Sequence, residues 1–167
     1  LWVTQGFEQA ITAGDLLLML PFMALEHGDY TDAEKWKLSR CIASRAASTA
    51  CGQAMEFAML GTGGWSRAAY ESAAQGKTGQ LFAMAIEGAN VLADSPAESR
   101  ALADAALRLG AVFQIQDDVV DLYGDKGRYQ KGGDLREGKV SALIVAHLAH
   151  RSEDEEELLA LLHQPSG

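Results

Sequence analysis

The sequence predicts an all-α protein, a bundle of long antiparallel helices, and three observations carry that prediction. Only three prolines punctuate 167 residues. Start signals of the form hydroxyl-x-x-glutamate recur just ahead of apolar-periodic runs. No stretch alternates apolar and polar residues as a half-buried strand must. Composition agrees, with 48% hydrophobic and 22% charged residues, the balance of a globular domain. This length supports one real core but not comfortably two.

Taken in order, helices are expected near 2–26, 31–60, 65–92, 96–123, 136–149 and 152–163. Thr31 with Glu34, Ser95 with Glu98, and Ser152 with Glu155 read as capping boxes, each hydroxyl and glutamate serving the other's end of the first turn. Pro96 at the first helical position reinforces the second box. Stops fall at 27–29, 61–64, 92–94 and 123–124, where Gly or Asp follows the last periodic residue. Small residues in pairs (Ala10 and Gly14, Gly76 and Gly79, Ala106 and Gly110) mark faces along which helices approach closely. One loop rich in glycine and charge, 124–135, joins the fourth helix to the fifth.

The net charge of −9 speaks against a nucleic-acid partner, because phosphate backbone is bound by a basic face. It permits a small phosphorylated substrate if divalent ions bridge carboxylate to phosphate. Cys41 and Cys51, ten residues apart on one helix, would stand roughly 15 Å apart and form no disulfide. They read as buried thiols of a protein in a reducing cytoplasm. The longest apolar run, from Leu16 to Met23, is short for a bilayer and contains Pro21, so neither a membrane span nor a signal peptide is expected.

Chemistry is densest near the end of the fourth helix. Asp117 and Asp121 are four apart, one turn removed on one face, with Gln114 a turn before and Asp125 a turn after. Val119, Val120 and Leu122 fill much of the other side, which is expected to pack inward. Carboxylates at a helix C-terminus oppose the helix dipole and repel one another unless a cation neutralises them. Oxygen ligands on a rigid helix suit Mg²⁺, which keeps waters and completes its shell with phosphate. Alone, the pattern is equally an exposed acidic helix end. The residues that follow favour the metal: Lys126, Arg128, Lys131, Arg136 and Lys139 are interleaved with five glycines. Cations on a pliable loop beyond a carboxylate face are what a diphosphate requires.

Gly76-Lys77-Thr78 looks like the tail of a phosphate-binding P-loop but fails the test. Glu71 stands where the first glycine is needed, and no strand precedes it. Small neighbours nonetheless leave room for a ligand near the Lys77 backbone, and glycine loosens the helix so that the Lys77 carbonyl is partly free. Gln53 and Glu56 form a further polar island on an apolar helix. None of the four histidines has a partner at metal-ligand spacing.

In order along most of the chain, these residues resemble the polyprenyl synthetase family, trans-isoprenyl diphosphate synthases such as farnesyl and geranylgeranyl diphosphate synthases. The resemblance rests on Ala10 to Asp15, on Gly52-Gln53-x-x-Glu56, and on Gly76-Lys77-Thr78. It continues through Phe113-Gln114-x-x-Asp117-Asp118-x-x-Asp121, Gly124-Asp125, Lys131, and Gly133-Asp134-x-x-x-Gly138-Lys139. It implies the isoprenoid synthase type of helical bundle and a trans-prenyltransferase that condenses isopentenyl diphosphate with an allylic diphosphate. It implies Mg²⁺ as cofactor, with Asp117, Asp118 and Asp121 as the second aspartate-rich motif: Asp117 a ligand, Asp121 and Asp134 carboxylates just behind it. Lys77, Lys131 and Lys139 would hold the allylic diphosphate. Thr78, Gln114 and the Lys77 carbonyl would stabilise the allylic cation, and Gln53 and Glu56 would line the allylic pocket.

Glu56 stands where the family more often has aspartate, and the stretch from Lys131 to Asp134 is about two residues short, so that Lys126 or Arg128 would share the work of Lys131. The family's first aspartate-rich motif and its last helices are not among residues 1–167, which read as the interior part of a single helical domain. The rivals are a non-catalytic regulatory subunit of such a synthase and a class I terpene cyclase. Asp117-Asp118-x-x-Asp121 with Lys77-Thr78 argues against the first, and Gly133-Asp134 with Lys139, in place of an Asn/Ser/Glu triad, against the second. A helical scaffold explains neither feature. Wide apolar surfaces on the first two helices (Leu16, Leu17, Leu18, Leu20 and Phe22; Ile42, Met55, Phe57 and Leu60) predict a homodimer.

Overall fold

The computed structural model describes residues 2–62, 65–93, 96–124 and 131–163, and among them there are helices and turns but no strand. Helix α1 (Trp2–Gln5) is split from α2 (Phe7–His27) at Gly6, whose φ of 88° leaves helical space. The single helix expected over 2–26 is therefore two. Helix α2 continues through Pro21, correcting the expectation that proline cuts the apolar run. By length and composition it is the one helix among the described residues able to cross a membrane. No residue of α2 is buried, and Gly14 meets nothing within 4 Å, so the pairing foreseen for Ala10 and Gly14 is not made among the described residues.

Helix α3 (Asp32–Thr62) opens on the Thr31 capping box. The Thr31 amide donates to Glu34 Oε2 (2.7 Å) and the Glu34 amide to Thr31 Oγ1 (3.3 Å). The expected third helix is α4 (Arg67–Ala74), a π-helical segment (Gln75–Gly79) and α5 (Gln80–Leu92) in unbroken succession. Ser66, not singled out from sequence, caps α4 by accepting from the Ala69 amide (3.1 Å). Helix α6 (Pro96–Tyr123) follows; Ser95 of its proposed capping box lies outside the described residues.

The expected helix 136–149 is displaced. A short α7 (Gly133–Arg136) forms first, Gly138 takes φ +72° and breaks the helical path, and α8 (Ala142–Leu148) begins only after Ser141. The Ser152 box does not form either. Ser152–Asp154 is a 3-10 turn, with Asp154 held by His147 (2.7 Å) and Arg151 (3.3 Å), and α9 (Glu155–Leu162) starts beyond it.

The π segment is the hub of the packing, lying against α3 on one side and α6 on the other, while α5 runs between the same two helices. Such crossings require glycine. A Cβ on Gly52 would sit 2.2 Å from the Gly76 carbonyl carbon, and one on Gly110 would sit 2.2 Å from Gly79 Cα. With no side chains between them the backbones nearly touch. Beside this hub Ala83, Ala103 and Ala106 are buried against Phe82, Ile86 and Leu107. A second core joins Trp65 and Tyr70 to Ala111, Val140, Ile144, Val145 and Leu148. The two cysteines are free, but Cys51 is exposed and Cys41 only partly buried, so the expectation of buried thiols fails for Cys51. Arg45 on α3 forks onto Glu87 on α5 (Nε to Oε2 2.9 Å) and reaches Gln80 (2.6 Å), tying the two helices.

Candidate functional site

The inward face of α6 near its end is polar. Asp118 and Asp121 are 5% and 6% exposed, whereas Val119 is 37% exposed. This reverses the inward packing expected of Val119, while Val120 and Leu122 are half-buried. Burying a carboxylate costs several kcal/mol unless donors replace its water, and both have them. Asp118 Oδ2 accepts from the Tyr70 hydroxyl and the Ala142 amide, each at 2.7 Å, and Oδ1 from Gln114 Nε2 at 3.0 Å. Asp121 Oδ2 accepts from the Asp134 amide at 3.0 Å. That last bond is set up by Gly132, in the left-handed region at φ +70°, whose amide donates to the Asp121 carbonyl (2.8 Å) and turns the chain back toward α6.

Asp134 is thereby carried to Asp117 and Asp118, and one carboxylate oxygen from each of the three lies within 4.8 Å of the others. Oxygen donors at that spacing fit a hard divalent cation. Asp121 is not in this group; it stands behind, holding the Asp134 backbone. Lys139 Nζ faces Asp134 Oδ1 (3.0 Å) and Glu137 Oε2 (2.6 Å). Burial works against its charge, but the two carboxylates outweigh that and push its pKa up to about 12.

From the opposite wall comes Lys77 on the π segment, its ammonium 3.0 and 2.8 Å from the two Glu56 oxygens. Gln53 Nε2 donates to Glu56 from one turn earlier (2.5 Å). Thr78 donates to Gln114 Oε1 (2.9 Å), so a polar chain runs from the π segment through Gln114 to Asp118. A π insertion of this kind is frequent at functional sites because it turns neighbouring residues off the regular helical face. Glu56, Lys77, Gln114, Asp117, Asp118, Asp134, Lys139, Val140 and Ser141 enclose a cavity of about 200 Å³.

Of the residues singled out from sequence, the structure brings Glu56, Lys77, Gln114, Asp117, Asp118, Asp134 and Lys139 to one cavity, with Thr78, Gln53 and Asp121 directly behind them. Lys131 stands apart, exposed, its ammonium donating to the Tyr123 carbonyl at the end of α6 (3.3 Å). Asp125, Lys126 and Arg128 lie outside the described residues. Sequence reasoning missed Tyr70 and Ser141. Nothing in its local spacing marks Tyr70, a lone aromatic on α4. Burial first, then its bond to Asp118, raises the phenol pKa far above the usual range. Ser141, directly before the apolar run 142–145, was legible as a helix start.

A family model described as polyprenyl synthetase matches residues 2–166. The chain is 36% identical over 161 residues to a short chain isoprenyl diphosphate synthase of Methanocaldococcus jannaschii, covering 94% of this chain and 48% of that protein. It is 32% identical over 165 residues to a short chain isoprenyl diphosphate synthase of Methanothermobacter thermautotrophicus, covering 96% and 50%. It superposes on the crystal structure of geranylgeranyl pyrophosphate synthetase from Pyrococcus horikoshii with a TM-score of 0.80 at 26% identity, covering 95% of this chain and 50% of that one. The chain spans about half the length of the curated relatives it matches.

Proposed function

This chain belongs to the polyprenyl synthetase family, and from that premise we propose that it carries the diphosphate-leaving half of a trans-prenyltransferase active site. The reaction would join isopentenyl diphosphate to an allylic diphosphate, releasing diphosphate and a longer trans-isoprenyl diphosphate. The observation that carries the reading is one cavity with three clustered carboxylates on one wall and two lysines at its edges.

Asp117, Asp118 and Asp134 would hold magnesium, which would neutralise charge on the departing diphosphate. Lys77 and Lys139 each now face carboxylates, and each would turn part of its charge to phosphate oxygens. Thr78 Oγ1 and the Gln114 amide oxygen, bonded to each other, would with the Lys77 carbonyl supply the dipoles that stabilise an allylic cation. Gln53 braces Glu56, and Glu56 braces Lys77, so the ammonium is placed before substrate arrives. Asp121 orients Asp134 through its backbone amide. Lys131, itself exposed, would reach the diphosphate only by releasing the Tyr123 carbonyl.

We assign the exposed apolar face of α2 to a homodimer contact rather than a bilayer. Glu8, Asp15 and Glu26 all lie along that helix and are exposed. The free thiols of Cys41 and Cys51 accord with a cytoplasmic protein. The chain would form part of a single helical domain.

The test replaces Asp117 by Ala in the full-length protein and measures prenyl transfer at saturating magnesium. A loss of at least about a hundredfold in turnover is expected, with helical content unchanged. Turnover equal to the parent's would remove Asp117, and the metal assignment with it, from the reaction.

A further inference from the structure

We propose that the Ser141 hydroxyl is a ligand-binding group of this cavity, donating a hydrogen bond to a phosphate oxygen of a magnesium-held diphosphate. The inference rests on the diphosphate reading above and adds to it a residue that neither motif nor spacing supplies. Ser141 is 5% exposed, and its Oγ has no hydrogen-bond partner among the described residues. A buried hydroxyl left unpaired is rare in a folded protein and points to a missing partner.

Its position suggests which partner. Ser141 precedes α8, where a serine side chain ordinarily accepts from an amide two or three residues on, yet it makes no such bond. The neighbouring Ala142 amide is spent on Asp118 instead. The side chain borders the same cavity as Asp117, Asp134 and Lys139.

The other donors there are already engaged. Gln114 gives its amide to Asp118, Thr78 gives its hydroxyl to Gln114, and both lysines face carboxylates. Ser141 alone among these described donors has no such engagement, and it is neutral. A neutral donor fixes one oxygen of a polyanion without adding charge to a cavity already lined by two lysines and four carboxylates.

Calorimetric titration of inorganic pyrophosphate in saturating magnesium chloride tests this in the parent chain, Ser141→Ala and Ser141→Thr. Ser141→Ala is expected to weaken pyrophosphate binding about tenfold, and Ser141→Thr, which keeps the hydroxyl, to stay within about threefold. Without ligand, Ser141→Ala should melt no lower than the parent, because it removes an unpaired group rather than a bond. Equal affinity in the parent and Ser141→Ala overturns the proposal and assigns the hydroxyl to a lone buried water. So does a lowered melting temperature with unchanged affinity. If the parent itself binds no pyrophosphate with magnesium, the diphosphate reading falls, and the role of Ser141 falls with it.

Discussion

Tyr70→Phe is the cleanest probe of why Asp118 is buried. The substitution keeps the ring in its core with Trp65 and Ile144 and deletes only the hydroxyl that donates to Asp118 Oδ2 at 2.7 Å. A hydrogen bond to a charged group contributes roughly 1.5–3 kcal/mol. Asp118 keeps the Ala142 amide and Gln114, so the loss belongs in the lower half of that range, about 2 kcal/mol. For a chain of this length that lowers the melting temperature by about 4–8 °C. The effect has a pH signature. Burial, then the bond to Asp118, raises the folded-state pKa of Tyr70 above the unfolded value of about 10. The stability tied to the neutral phenol is therefore complete below pH ~10 and is lost as pH rises toward the folded value. Tyr70→Phe has no such group, so its deficit at pH 7.5 should shrink at pH 10.8. Urea unfolding of both proteins at the two pH values measures this. Equal stability at pH 7.5, or an unchanged deficit at pH 10.8, would refute the assignment of Tyr70 as the neutral donor to a charged Asp118.

Gly52→Ala would place a methyl carbon 2.2 Å from Gly76 C and 2.3 Å from Lys77 N. With only backbone to yield, it should cost about 3 kcal/mol in unfolding free energy; a neutral result would mean that the α3 crossing is looser than this contact requires. Arg45→Met should cost about 1 kcal/mol at pH 7, discounted because the pair is partly solvated. Hydrogen bonding to Arg45 is the leading cause that lowers the Glu87 pKa, so that stability is present above the ordinary carboxylate range and lost as pH falls through the folded value. Parent and variant should converge below pH ~4, and parallel acid limbs would remove the pair from the account. Light scattering at micromolar concentration should give a dimer mass for the parent and a monomer mass for Leu17→Asp, since Leu17 is 63% exposed on α2; a monomeric parent rules the α2 contact out.

Helix existence was legible because it depends on local chemistry. The Thr31 and Glu34 box is read from four consecutive residues and forms as read. Where the reading failed, a longer-range partner intervened. Ser152 looks like a cap, but Asp154 beside it is drawn to His147, seven residues back. The π segment was foreseen only as a loosening at Gly76 and Gly79. It lies where the backbones at Gly52 and Gly110 pass it at contact distance, partners that local spacing does not reveal.

The site divides along the same line. Periodicity puts Asp117 and Asp121 on one side of α6, and spacing alone makes them a pair. It cannot say which face turns inward, because apolar content ordinarily decides that and here Val119 turns out while Asp118 and Asp121 turn in. The decision is made by donors that arrive from elsewhere: Tyr70, 48 residues before Asp118, and the Ala142 amide, 24 residues after it. Once those two fix Asp118, α6 can turn only so far. Asp121 is left facing the chain that returns through Gly132, and it anchors that chain by the amide of Asp134. Asp134 then joins Asp117 and Asp118 as the third carboxylate, a role that spacing along α6 had suggested for Asp121. The exchange follows from hydrogen-bond accounting: a carboxylate can be buried on α6 only where a donor waits for it.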